Sequence, residues 1–304
     1  MKILTPVEIE KIKRQINYSD KILLAGSCFS DEMNSVLTDY GFDVMANPFG
    51  TLYNPASVCI SLLRLGAAAG LCKMPLEISP FFTEKDVVKR PDGLSVSFFH
   101  HSSYGAQDAK TFVENANEKL KKDAQFFKEA SVVIITLGTS WVFRYLGDDG
   151  NRAAGGTGMI VANCHKLPAK YFSREFLPVS STSKLLHTII DTFASKYFIF
   201  TVSPIRHMAD GAHGNQISKS SLLLAIESVI KESGNSDYFP AYEIMADELR
   251  DYRWYAEDMV HPSAAAVKYI FEKFNDACID NSCNERMDQE LKKSKMAKHR
   301  PFFS

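Results

Sequence analysis

The chain has 304 residues, 45% of them hydrophobic and 23% charged, which is enough apolar material for a sizeable buried core. Lys and Arg number 35 against 36 Asp and Glu, a formal charge of -1, so no global field recruits nucleic acid or an anionic membrane, and neither is an expected partner. The N-terminal MKILTPVEIEKIKRQ puts charged residues where a secretory signal needs an unbroken apolar run, so cytoplasmic residence is the expectation.

Lys21 to Ala25 is a short apolar run ended by Gly26, and Met33, Val36 and Leu37 follow at helical spacing, which predicts strand, tight turn, helix. Val58 to Cys72 is the most apolar stretch; Arg64 interrupts it and it falls short of a bilayer span, so it reads as a buried helix. Asp86 to Phe98 carries Pro91-Asp92-Gly93 between short β-like flanks and predicts an inserted hairpin. Helices are expected from about Asp108 to Glu129, Thr182 to Lys196 and Lys219 to Glu232. Between them, Ser131 to Leu137 and Tyr197 to Ser203 are unalternating and β-branched or aromatic, as strands covered on both faces should be. Gly147 to Gly158 reads as a Gly-rich excursion loop.

Strands alternating with helices imply a parallel sheet with right-handed crossovers, so every strand ends on one edge, where open α/β sheets bind ligands. The expected fold is a three-layer α/β/α sandwich with a central parallel sheet and a small hairpin insertion. One domain over residues 1–278 is followed by a polar, basic tail over 279–304, as an extra helix or a loosely held segment.

Six cysteines, Cys28, Cys59, Cys72, Cys164, Cys278 and Cys283, are scattered without a CxxC pair and read as thiols rather than disulfides or metal ligands. His165 beside Cys164 is too little for a metal site, and His100-His101 could line a site from a loop. Gly155 to Gly158 lacks the spacing and preceding strand of a dinucleotide site, so neither a metal nor a cofactor is expected.

Two segments carry chemistry. Gly26-Ser27-Cys28-Phe29 falls at a strand-to-helix turn, where free N–H groups and the helix dipole favour an anion and a reactive thiolate. The competing reading makes Ser27 a helix cap and Cys28 a small packed hydrophobe. Asp258-Met-Val-His261 has a spacing that, in a helical turn, sets a carboxylate beside an imidazole, as a general base beside a nucleophile requires. Its competing reading is a capping Asp and a surface His before a helix starting near Pro262.

Together the two segments resemble the SGNH, or GDSL-type, hydrolases, which carry a nucleophile in a Gly-Asp-Ser block after the first strand and an Asp-x-x-His block near the C-terminus. Gly26-Ser-Cys-Phe-Ser30 is closer still to the GSCFA family within that superfamily. Asn47-Pro-Phe-Gly50-Thr-Leu-Tyr-Asn54-Pro55, Thr136-Leu-Gly138-Thr-Ser140-Trp141, Asn163-Cys-His165-Lys and Ser203-Pro-Ile-Arg206-His207 carry the same resemblance, which runs from about Thr5 to Phe274.

The resemblance implies Cys28 as nucleophile, with Ser27 standing where the superfamily has Asp, His261 as base and Asp258 as its orienting carboxylate. Ser140 stands where the superfamily has an oxyanion-binding Asn. Gly50 and Cys28 N–H groups would complete the hole, and Gly138 and Asn54 fall in the matching blocks. Arg206 and His207, after a predicted strand, lie at the ligand edge, where Arg206 would hold a carboxylate or phosphate or else bridge loops.

The implied function is acyl transfer or hydrolysis of a small ester, with an O-acetylated sugar as the substrate suggested by superfamily analogy. Two rivals remain: a catalytically weakened, hydrolase-like binding protein, for which the Ser27 and Ser140 departures argue, and a redox-responsive protein using Cys28. Substrate, acyl acceptor and oligomeric state are not encoded in any motif.

Overall fold

The computed structural model describes residues 5–75, 79–147 and 158–298. The excursion loop expected between Gly147 and Gly158 lies almost wholly outside them.

Five parallel strands form the central sheet: β1 (Lys21–Gly26), β2 (Asp43–Ala46), β5 (Val132–Leu137), β9 (Tyr197–Val202) and β10 (Ser236–Tyr238). Their spatial order is β10-β9-β5-β1-β2. Counting these strands alone gives 2-1-3-4-5, a doubly wound order whose switch point falls between β1 and β5. The register runs Ile22 to Val132 through Gly26 to Thr136 on one side and Val132 to Tyr197 through Leu137 to Val202 on the other.

Alternation along each strand decides which layer a residue joins. Leu23, Ala25, Val133, Ile135, Leu137, Phe198, Phe200 and Val202 pack on the face covered by α2 (Pro55–Ala68), α3 (Ala109–Glu129), α4 (Val179–Thr192) and α5 (Gly211–Glu232). Ile22, Leu24, Val132, Ile134, Tyr197 and Ile199 pack on the other face against α1 (Cys28–Asp39) and α7 (Ala264–Cys278). Withdrawing each large apolar side chain from water is worth roughly 1.5–3 kcal/mol, so both faces demand hydrophobes and the strands read as unbroken runs. The layers are those expected.

Two small antiparallel pieces decorate this frame. The expected hairpin is β3 (Val88–Lys89) and β4 (Ser95–Val96), closed by Arg90 N–H to Leu94 O and by Gly93 at φ +87°. A second sheet was not foreseen: β7 (Ile160–Val161), β6 (Trp141–Tyr145) and β8 (Phe172–Phe176) surround a local core of Phe98, Tyr145 and Val161. Strands of two to five residues carry too little alternation to stand out from loops.

Two helix boundaries differ from expectation. α5 begins at Gly211 rather than near Lys219; its first turns, Gly-Ala-His-Gly-Asn-Gln, have poor helix propensity and are held instead by Asn215, whose side-chain oxygen accepts the His207 N–H at 2.9 Å. α4 runs from Val179 to Thr192 rather than from Thr182 to Lys196. After β10 come a short helical turn, α6 (Ala241–Glu243), and irregular turns through Trp254. In the tail, α8 (Asn284–Lys298) folds back on α1, where Ser294 and Lys298 donate to Asp39.

Among the described residues no helix is long and apolar enough to cross a membrane. All six cysteines are free thiols.

Candidate active site

β1 must end in glycine. Gly26 sits at φ +141°, and a Cβ there would meet the Thr136 carbonyl oxygen of β5 at 2.0 Å. The missing side chain lets β1 and β5 stay paired to their ends, where Ser27 N–H donates to the same Thr136 oxygen. The chain then turns into α1. Ser27 occupies the N-cap position without capping: it is 1% exposed, and its hydroxyl donates to Ser203 Oγ beyond β9 at 2.9 Å. Both competing roles for Ser27, side-chain cap and nucleophile, therefore meet a buried, bonded hydroxyl. Cys28 is the first residue of α1 and half-buried, with Sγ 3.5 Å from the Tyr53 hydroxyl. The first N–H groups of a helix have no partner within it, which leaves the Cys28 N–H beside its own thiol.

Asp258 and His261 meet, though not in a helical turn as expected. The backbone reverses through Met259 at φ +55°, and Asp258 Oδ1 accepts the N–H groups of Val260 and His261, both at 2.9 Å. Asp258 Oδ2 lies 2.6 Å from His261 Nδ1. These two N–H donors, then the imidazole, hold the Asp258 carboxyl down to about 2. The bond to Nδ1 leaves Nε2 as the nitrogen able to take a proton. Both side chains stay accessible, at 49% and 45% exposure. The helix expected near Pro262 starts at Ala264 with Ser263 as its cap.

The loop after β9 joins this turn to the sheet edge. Arg206 N–H donates to Val260 O and its Nη1 to Met259 O, while Ser203 N–H donates to Leu137 O at the end of β5. Gly26 and Gly138 thus flank the switch point on the C-terminal edge, and the Asp258/His261 turn is tied to the same edge through the loop after β9. Among the described residues no hydrogen bond links Cys28 to His261.

The groups expected to bind an oxyanion or substrate are mostly engaged elsewhere. Gly50 N–H donates to Asn47 O at 2.7 Å, and Gly138 N–H to Tyr53 O at 2.8 Å. Ser140 is completely buried: its hydroxyl donates to Ser218 O and its N–H to Ser218 Oγ. Asn54 spends both side-chain ends on Ser57, capping α2. In this structure each of the four is spent on the fold: Gly50 and Asn54 within their own turns, Gly138 and Ser140 on partners distant in sequence. Gly50 keeps a steric role: it sits at φ +76°, and a Cβ would fall 2.5 Å from that of His101. His207, half-exposed, packs edge-on to Tyr53 and lies 3.7 Å from Asp210; burial pushes its pKa down.

Lys219 closes the floor. It is completely buried, and its Nζ donates to Gly138 O and Ser203 O, each at 2.8 Å, tying the ends of β5 and β9. Among the described residues it has no carboxylate partner, and burial pulls its pKa down to about 7. That value lies below the ordinary 10.5, so between them the unfolded chain binds more protons and the lysine's contribution to stability rises with pH. Relative to Lys219→Met, the wild type should gain about 1 kcal/mol per pH unit from pH 7 upward and show no change in the difference below it. Urea titrations of both proteins across pH 6 to 10 measure this; a difference independent of pH would refute the neutralising lysine.

The two segments that bracket this site also match a known family, whose model covers residues 21–274. The chain belongs to the GSCFA family. No curated protein matches this GSCFA chain. Among solved structures, a carbohydrate esterase family 2 enzyme with its carbohydrate-binding domain from Corynascus thermopiles (Myceliophthora fergusii) is similar at 18% identity, over 49% of this chain and 36% of that one, with a TM-score of 0.27. An acetyl xylan esterase from the rumen bacterium Butyrivibrio proteoclasticus is similar at 8% identity, over 87% and 65%, with a TM-score of 0.36. A carbohydrate esterase family 3 protein from Talaromyces cellulolyticus is similar at 10%, over 90% and 99%, with a TM-score of 0.32. The GSCFA chain spans about a third of the first of these and just under two thirds of the second.

Sequence reading missed three residues of the candidate site. Tyr53 lay in plain view between Gly50 and Asn54, yet its hydroxyl, not their backbone, faces the thiol; burial, then the neighbouring Cys28, pushes the phenol pKa up, so it stays a donor. Asp31, one turn beyond Cys28, accepts from Asn47 Nδ2 at 2.8 Å, while Asn47 Oδ1 accepts the Gly26 N–H. Burial raises the Asp31 pKa. Lys219 carried no signal in a helix sequence, since only tertiary packing makes it a buried cation. Among the described residues no group of three or more His, Cys, Asp or Glu is placed to hold a metal ion.

Proposed function

We propose that this GSCFA protein hydrolyses or transfers the acyl group of a small ester, with Cys28 as nucleophile, His261 as general base and acid, and Asp258 as the group that orients it. An O-acylated sugar is the substrate class. The observation that carries this reading is the 2.6 Å Asp258–His261 bond on a turn pinned by Arg206 to the edge where Cys28 opens α1.

His261 Nε2 takes the thiol proton as sulfur bonds to the ester carbonyl carbon. The Cys28 N–H and the Tyr53 hydroxyl stabilise the oxyanion. The tetrahedral intermediate collapses by breaking its bond to the alcohol oxygen, which leaves with the proton from His261. Water, or a second alcohol, then gives its proton to His261 and attacks the thioester, and the thiol re-forms. Catalytic hydrogen bonds often tighten only once substrate is bound, so the step from Sγ to His261 is made in the complex.

A second reading, a binding protein of weakened activity, is favoured by one observation: Ser140, Gly50 and Gly138 are all engaged, which leaves fewer oxyanion donors than the superfamily pattern supplies. Acid-quenched reaction with p-nitrophenyl acetate, followed by peptide mass analysis, separates the two. An acetyl group on the Cys28 peptide, formed as fast as the first p-nitrophenol is released, is the expected result. Release without acetylation would put the chemistry on another residue, and no release at all would favour the binding protein.

A further inference from the structure

A cavity of about 290 Å³, joined to the Asp258/His261 turn through Arg206, lies between the loop after β9, the first turns of α5 and the segment following α6. Pro204, Arg206, Asn215, Tyr242, Tyr252 and Tyr255 are among the residues lining it. Its size is at the lower end for small-molecule sites, suited to one ring rather than a polymer.

Arg206 belongs to both the cavity and the turn. One guanidinium nitrogen donates to Met259 O, and the group lies 5.6 Å and 6.0 Å from the ring centres of Tyr255 and Tyr252. Among the described residues it has no carboxylate partner. The other charges lining the cavity are already matched: Asp251 pairs with Arg253, and Arg250 with Asp247. Arg206 is therefore the lining cation with charge to offer. The planar fork of a guanidinium, stacked on aromatic faces and with donors unspent, suits two parallel hydrogen bonds to an anion. Tyr252 is 66% exposed and offers an apolar face of the kind that sugar rings cover.

We propose that this cavity is the subsite for the alcohol part of the ester, and that it takes a single sugar ring bearing an anionic group, carboxylate or phosphate, held by Arg206. The assignment rests on the acyl-transfer reading for the bond that breaks, but not for binding itself. The link to the acyl-transfer step is Arg206, which lines the cavity and also bonds the Met259 and Val260 carbonyls of the turn that carries His261, the residue that must protonate the departing alcohol.

The test measures binding and turnover separately. Calorimetry on the Cys28→Ala protein compares methyl glucuronide, glucose 6-phosphate and methyl glucoside. At least one anionic sugar should bind about 10- to 100-fold more tightly than the neutral one, as expected for a charge-assisted pair, and the two anions tell carboxylate from phosphate. Arg206→Gln should erase that preference and Arg206→Lys should keep part of it. Tyr252→Ala, at a mostly exposed position, should weaken all three sugars while leaving the preference in place. In the wild type, the acetyl esters of the same sugars should show the same ranking in kcat/KM, with Arg206→Gln lowering the anionic ester more than the neutral one. Preferred binding without turnover would keep the subsite and end the acyl-transfer reading. Turnover without an anionic preference, or equal losses for both esters in Arg206→Gln, would keep the chemistry and overturn the subsite. No binding of any of the three sugars would also overturn it.

Discussion

Cys28→Ala is expected to lower kcat on an activated ester such as p-nitrophenyl acetate by at least about 10³-fold, the loss typical when a covalent nucleophile is removed. Ser27→Ala should behave differently. Its hydroxyl is buried and spent on Ser203, so removing it costs a hydrogen bond worth about 1 kcal/mol of stability and leaves Ser203 Oγ with only the Ile205 N–H. Activity should fall only as far as the turn loosens. Thermal unfolding of both variants keeps the two effects apart: Cys28 is half-buried at a helix start, and its truncation should move the midpoint by no more than a few degrees. Should Ser27→Ala abolish turnover in a folded protein while Cys28→Ala retains it, the nucleophile is the serine. Labelling with iodoacetamide gives an independent reading, because burial pushes up the pKa of all five other thiols, Cys164 to about 11. Fastest modification is expected at Cys28.

Much of this frame was legible because the physics that built it is local. β1, β5 and β9 are covered on both faces, and a strand so covered shows as an unbroken apolar run whatever its neighbours. Gly26 was readable for a related reason: a strand that must approach Thr136 to within a side chain's width leaves a glycine at its end. The site was legible to the extent that it is sequential. Asp258 and His261 lie in one turn, so their spacing announced their contact, even though a left-handed Met259 rather than a helix makes it.

What stayed hidden depends on long-range closure. Ser140 and Ser218 are separated by 78 residues, and nothing in either segment says that one hydroxyl is spent on the other's carbonyl. The same holds for Lys219, whose amine bridges residues from two strands. Matching blocks to a family pattern located the right edge of the sheet. That pattern treats backbone N–H groups there as open, whereas the fold spends those of Gly50 and Gly138 on Asn47 O and Tyr53 O.

For the dyad, Asp258→Asn should fold and still fail. An amide oxygen can go on accepting the Val260 and His261 N–H groups, so the turn survives, but a neutral amide favours the wrong imidazole tautomer and cannot stabilise the imidazolium. In other triads that exchange costs about 10⁴-fold in kcat, and a loss of that order is expected here. His261→Ala should cost as much or more, with little change in stability, because the ring is 45% exposed and contributes little packing. The Asp258 carboxyl is held down to about 2, below the ordinary 3.8, so its support for the fold is present above the ordinary value and is lost only as pH falls through about 2. Across any range in which an ester assay runs, Asp258 is ionised, so no limb of the wild-type pH profile above about pH 4 should come from its titration. Wild-type turnover that survives either substitution in a folded protein would move the general base away from this turn.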